Sequence, residues 1–217
     1  MKTPKKPKIS VFMDHPLCSA HCLVSMNEAL YEKYDVYSFT IDQLKKSKTL
    51  KNTKVIAFPG GIGDSEKFHT RVRPHMEPIL EFMNNGGKYL GICMGAYWAG
   101  PRYFDLLKGV DAVQYITRPD ADIRRPYGTT AEVVWEGSKQ HMYFYDGCAL
   151  VGEGEFDTVA TYKNGDAMAI IQGNTGVIGC HPESMRSWYE KPYMKSRWHE
   201  YHHHKLLSDF VDKLLLT

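Results

Sequence analysis

Apolar positions in the first half of the chain form two alternating kinds of segment. Residues 8–13 (KISVFM), 54–58 (KVIAF) and 88–92 (KYLGI) are short, nearly continuous apolar runs. Such runs predict strands buried on both faces, and residues 36–39 add a shorter one. Between the runs, apolar side chains recur at helical spacing. Leu23, Met26, Leu30 and Tyr31 follow Ser19, a candidate N-cap, while Met76, Ile79, Leu80 and Met83 share one face of residues 74–84, which end at Gly86-Gly87. A short helix is also expected over residues 41–46. Strand–helix repeats of this kind predict an α/β fold with a mostly parallel central sheet covered on both faces.

The second half alternates differently. Residues 132–135, 141–145, 158–162, 167–171 and 176–179 are short and β-branched or aromatic, and Asn164-Gly165 between two of them is a hairpin signal. Residues 116–128, with two prolines and several charges, read as a long surface loop. The final segment, residues 196–217, is expected to be helical, with Leu207, Phe210, Val211, Leu214 and Leu215 as its packing face. No internal repeat or linker interrupts the pattern, so residues 1–217 are expected to form a single domain, with residues 1–7 as a flexible basic tail.

Composition narrows the class. The 27 basic and 25 acidic residues nearly cancel, so no global charge calls for nucleic acid or an anionic membrane. No apolar run approaches the ~20 residues of a membrane-spanning helix. The start of the chain also lacks a secretory apolar stretch. Five cysteines, an odd number, argue against a disulfide framework. A cytoplasmic protein is expected.

Three stretches carry chemistry. Gly91-Ile92-Cys93-Met94-Gly95 closes a predicted strand. Small residues on both sides of a nucleophile permit a tight strand-to-helix turn that exposes the central side chain. The N–H groups of the following helix favour thiolate over thiol. Downstream, residues 177–180 form a strand that ends at His181-Pro182-Glu183. In a parallel sheet the carboxyl ends of strands share one edge. His181 is therefore the expected general base and acid for Cys93, and Glu183 the group that orients its imidazole. Third, Pro59-Gly60-Gly61-Ile62-Gly63 ends another strand. Gly60 or Gly61, with the N–H of Met94, is the expected oxyanion hole. Arg102, just after the elbow helix, is placed to meet a substrate carboxylate. His15, Cys18, His21 and Cys22 cluster locally, but no second ligand pair supports them as a zinc site. No metal and no cofactor are expected. The histidines at 199 and 202–204 read as a solvated helix face.

In this order and spacing, GICMG, HPE and the FPGG loop resemble the class I glutamine amidotransferase superfamily. The narrower resemblance is to the amidotransferase-like domain at the N-terminus of biotin–protein ligases, carried also by Cys93-Met94-Gly95-Ala96-Tyr97, by residues 143–148 (YFYDGC) and by Ala160-Thr161-Tyr162. It covers roughly residues 8–185 and implies a flavodoxin-like three-layer sandwich. It further implies a substrate-binding role for the position four residues after the nucleophile. Working amidotransferases usually carry glutamine there, and here it is Tyr97. The expected function is hydrolysis of glutamine or another small amide through a Cys93–His181–Glu183 triad. A separate synthetase or ligase chain is the expected partner. A non-catalytic binding module and a peptidase-like cysteine hydrolase are the alternatives.

Overall fold

A computed structural model describes residues 5–46, 48–62 and 64–217. Gly63, in the glycine-rich loop, and the first four residues of the basic tail lie outside them. One sheet carries eleven strands: β1 (Lys8–Phe12), β2 (Asp35–Phe39), β3 (Thr53–Phe58), β4 (Lys88–Ile92), β5 (Val110–Gln114), β6 (Thr129–Trp135), β7 (Ser138–Phe144), β8 (Cys148–Gly152), β9 (Asp157–Tyr162), β10 (Ala167–Gln172) and β11 (Thr175–Ile178). The main path runs β2-β1-β3-β4-β11-β10-β9-β6-β7. Pairing is parallel from β2 through β4 to β11 and antiparallel beyond it. The helices are α1 (Ala20–Leu30), α2 (Ile41–Leu44), α3 (Ser65–Lys67), α4 (Glu77–Asn84), α5 (Met94–Ala99) and α6 (His202–Leu216).

The parallel strands explain their own composition. Val55, Ala57, Leu90 and Ile92 point to one core with Met26 and Leu30 of α1 and Leu207, Phe210 and Val211 of α6. Ile56, Phe58 and Tyr89 point to the other, with Ile79, Trp98 and Phe104. Both faces are dry, so each strand needs an apolar residue at nearly every position.

Several expectations change in detail. Residues 74–84 are not one helix: a 3-10 turn (Arg73–His75) precedes α4, and Met76 is its cap residue. β5 and β8, which pair with each other, had no clear alternation in the sequence. The terminal helix begins at His202 because Glu200 and Tyr201 both take positive φ, 44° and 65°, which stops helical hydrogen bonding upstream.

His203 and His204 of α6 are buried rather than solvated. The ring of His203 stacks on that of His199, centroids 4.0 Å apart. Burial, with neighbouring histidines adding to it, pushes His199 down to about 3 and His203 down to about 2. A histidine neutral in the fold but free to protonate when unfolded loses stabilising effect as pH falls below its unfolded value of about 6.5. Stability measured by urea unfolding is therefore expected to drop between about pH 7 and pH 5, by about 2 kcal/mol for each of these histidines. His203→Gln should flatten that dependence. An unchanged pH slope in the variant would show that His203 is not the titrating group.

Candidate active site

The cysteine elbow follows from close packing of backbone on backbone. Cys93 leaves β4 with φ 51° and ψ −106°, a strained conformation for a side chain with a Cβ, of the kind found at functional turns. A Cβ on Gly91 would stand 2.4 Å from the carbonyl oxygen of Gly95, and one on Gly95 would stand 1.9 Å from that of Phe58. Only glycine fits at either position. The hydroxyl of buried Tyr89 donates to the Gly95 carbonyl at 2.7 Å and braces the turn. The N–H groups of Met94 and Gly95 precede the first helical hydrogen bonds of α5, in which Ala96 and Tyr97 donate to the Cys93 carbonyl.

Register places the partner residues. Ile92 of β4 pairs with Ile178 of β11, and the Cys93 N–H donates to the Ile178 carbonyl at 2.9 Å. Both strands thus end together, and His181 emerges three residues beyond Ile178. The His181 N–H donates to the carbonyl of Tyr143 at 2.9 Å, while the rings of Tyr143 and Trp188 flank the imidazole edge-on, at 5.8 and 5.5 Å. His181 Nδ1 donates to Glu183 Oε1 at 2.9 Å, and Glu183 is fully buried. Its other oxygen, Oε2, has no hydrogen-bond partner among the described residues.

The electrostatics of the pair are decided by two opposing effects. Burial alone would lower the His181 pKa, but the Glu183 carboxylate and the sulfurs of Cys93 and Cys22 outweigh it and hold the ring well above the ordinary histidine range. Nδ1 is occupied by Glu183, so Nε2 is the nitrogen free to exchange a proton with a substrate or a thiol. The hydrogen bond of Cys93 Sγ itself goes to the Tyr145 carbonyl at 3.6 Å. Cys93 and His181 line the same cavity, of about 580 Å³, together with Cys22, Gly61, Ile62, Tyr143, Tyr145 and Trp188 and with the charged Glu190 and Lys191.

The two glycines of the FPGG loop do different work. A Cβ on Gly60 would stand 2.6 Å from His181 Cε1 and 3.1 Å from Cys22 Sγ, so Gly60 makes room for the imidazole. Its carbonyl accepts from the Ser19 N–H. Gly61 faces the cavity, and a Cβ there would meet Met94 Sδ at 2.8 Å. Gly61 and Cys93 thus line one cavity, with the Met94 side chain close to Gly61.

Two of the sequence-selected residues sit elsewhere. The Tyr97 hydroxyl donates to the Asp146 carbonyl at 3.2 Å, burial raises its pKa, and the residue is not part of the cavity wall. Arg102 is exposed on the turn after α5, its carbonyl accepting from Arg73, and it too is absent from the wall. Conversely, Cys22 and Trp188 were not selected and stand at the imidazole. The Cys22 N–H is capped by Ser19 Oγ at 3.4 Å, which points the first turn of α1 at the site. The sequence carried that cap signal and the local cysteine–histidine cluster around Cys22, and no motif marked Trp188.

Behind His181 and Glu183 the C-terminal segment forms a brace. Ser184 Oγ meets Tyr189 Oη at 2.9 Å and His199 Nε2 at 3.4 Å, while His204 Nε2 donates to the Ser184 carbonyl at 3.0 Å. Among the described residues, no helix is long and apolar enough to cross a membrane.

Residues 15–109 match the family model described as "Biotin-protein ligase, N terminal". That span includes Cys93 and the FPGG loop and ends before His181. No curated protein matches the chain. Among solved structures, PurLQS from Thermotoga maritima is 16% identical with a TM-score of 0.65, over 96% of this chain and 99% of that one. A glutamine amidotransferase, also from Thermotoga maritima, is 10% identical with a TM-score of 0.66, over 97% and 99% of the two chains. A glutamine amidotransferase from Methylobacillus flagellatus is 10% identical with a TM-score of 0.60, over 98% and 93%. At these identities the shared property is the fold, and it extends through the C-terminal segment that no sequence motif covered.

The imidazole is confined by Gly60 on one side and by Tyr143 and Trp188 on others, so an added methyl cannot be absorbed by a small tilt. Gly60→Ala is expected to slow alkylation of Cys93 by iodoacetamide roughly 10- to 100-fold, the usual cost of ångström-scale misplacement. Peptide mass spectrometry at limiting reagent reads this directly, and a wild-type rate would mean that the ring had not moved.

Proposed function

We propose that this chain, which shares the fold of glutamine amidotransferases, belongs to their class I superfamily and hydrolyses a small amide through Cys93, His181 and Glu183. The observation that carries this reading is the shared cavity. A strained cysteine elbow opens into it, and a buried His181–Glu183 pair is aimed from the adjacent parallel strand.

Cys93 sulfur, as thiolate, attacks the amide carbonyl carbon, and the N–H groups of Met94 and Gly61 receive the developing oxyanion. Protonated His181 gives its Nε2 proton to the leaving nitrogen, and ammonia or an amine departs. Water then attacks the thioester with His181 taking its proton as base, which expels the Cys93 thiolate, leaves His181 protonated again and releases the carboxylic acid. Glu183 keeps the ring in the required orientation and stabilises its positive charge throughout. The raised His181 pKa supports this role, because a ring that stays protonated can serve as the acid.

Glutamine and related small amides are the substrate class, with Lys191 and Glu190 at the wall as the groups of opposite charge for an amino acid's carboxylate and ammonium. The aromatic wall of Tyr143, Tyr145 and Trp188 favours an amide with an apolar portion over free glutamine. Tyr97, its hydroxyl spent on the Asp146 carbonyl, offers the substrate no hydrogen bond of the kind a glutamine side chain makes. A separate synthetase or ligase chain is the proposed consumer of the ammonia. The Tyr97 substitution also supports a second reading, in which the site binds an amide or acyl ligand without turning it over.

Ammonia release from glutamine and from a panel of aliphatic and aromatic primary amides decides between the two readings. The expected result is Cys93-dependent release, slower from glutamine than from the best apolar amide, and at background with Cys93→Ala. Release equal in wild type and Cys93→Ala for every amide would overturn hydrolysis and favour the binding module.

A further inference from the structure

The amide mechanism uses Cys93, His181 and Glu183 and leaves a second buried thiol at the same imidazole. Cys22 is 6% exposed, and its Sγ, a His181 ring nitrogen and a Glu183 carboxylate oxygen all lie within 4.8 Å of one another. Among the described residues this is the one set of three or more cysteine, histidine or acidic side chains so arranged. The histidine-rich stretch of α6 brings no comparable set together.

Three features make the cluster more than a chance grouping. Its donors are one sulfur, one imidazole nitrogen and one carboxylate oxygen, a mixture suited to zinc, which takes all three atom types. The donors come from two separate elements: Cys22 from the capped first turn of α1, and His181 and Glu183 from the segment that follows β11. Glu183 also carries an oxygen, Oε2, that is buried and without a hydrogen-bond partner among the described residues. A buried carboxylate oxygen without a donor is costly, and a cation beside it removes that cost.

From these we infer that Cys22, His181 and Glu183 form a binding site for a thiophilic divalent cation, zinc being the best match. Bond lengths of about 2.0–2.3 Å put ligand atoms around a tetrahedral zinc roughly 3.3–3.8 Å apart. The present spread of up to 4.8 Å closes with about 1 Å of side-chain movement, while the His181–Glu183 separation of 2.9 Å opens slightly. On binding, the Cys22 thiol loses its proton to solvent and the metal takes the place of a proton at the imidazole. Three protein ligands leave a fourth position toward the cavity. An occupied site holds His181 as a ligand, so metal binding and proton transfer to or from Cys93 exclude one another. Metal binding itself needs no turnover, so the absence of amidase activity would leave it unaffected.

The test is titration of the reduced protein with Co²⁺ alone, followed by the near-ultraviolet thiolate-to-cobalt absorption, with Zn²⁺ as competitor. One equivalent should bind, with the thiolate band displaced by zinc. Cys22→Ser should abolish the band and weaken binding roughly 100-fold or more, whereas Cys18→Ser and His202→Gln should not. Thermal melts in EDTA check that the Cys22→Ser protein is folded. A second measurement needs no variant: zinc should protect Cys22 of the wild type from alkylation, read by peptide mass spectrometry. Absence of stoichiometric binding, a band that survives in folded Cys22→Ser, or no protection of Cys22 by zinc would each overturn the site.

Discussion

The parallel pairing of β4 with β11 is the contact on which the site depends. One hydrogen bond, from the Cys93 N–H to the Ile178 carbonyl, locks the end of the cysteine strand to the end of the histidine strand. Eighty-five residues separate Cys93 from Ile178 in sequence, and the sheet reduces that to adjacent register positions. The glycines at 91 and 95 allow α5 to leave the sheet at an angle no other residue permits, because their missing Cβ atoms would overlap backbone carbonyls. Strain at Cys93 is thus over-determined by packing on both sides, which is the condition under which strained backbone persists.

Around the imidazole, every neighbour constrains position or charge. Gly60 sets how close β3 can come, Tyr143 and Trp188 flank the ring, and Glu183 holds one nitrogen. The fully buried carboxylate costs desolvation, and its ion pair with a protonated ring repays this only partly while Oε2 remains unpaired. That imbalance is characteristic of sites maintained for chemistry or for binding an ion, since an apolar core residue would be more stable in the same place. Cys22 adds a soft donor to the same few ångströms.

The C-terminal segment extends this organisation outward. Ser184, immediately after Glu183, is tied to Tyr189, His199 and His204, so the segment beyond the HPE motif folds back to support it. Burial holds the His199 pKa far below the ordinary histidine range, which couples the brace to pH, whereas the Glu183 carboxylate two residues away raises that of His181.

Sequence by itself determined what local physics encodes. Apolar runs marked the doubly buried strands of the parallel half, Ser19 marked the start of α1, and Asn164-Gly165 marked the β9–β10 hairpin. The glycine spacing around Cys93 and the strand ending at His181 were also readable, because tight turns and strand ends leave short-range signatures. Tertiary structure alone decided the rest. β5 and β8 are paired across more than thirty residues and lack alternation of their own. The direction of Tyr97 is set by the Asp146 carbonyl, which comes from another loop. Cys22 looked like part of a local group with Cys18 and His21, yet helix α1 turns it toward His181, more than 150 residues away in the chain. His203 and His204 of α6 looked solvated because polar residues usually are, and they are buried because Gln140 and Ser184 supply hydrogen-bond partners. Side-chain company of this kind is fixed by long-range packing, and no local pattern carries it.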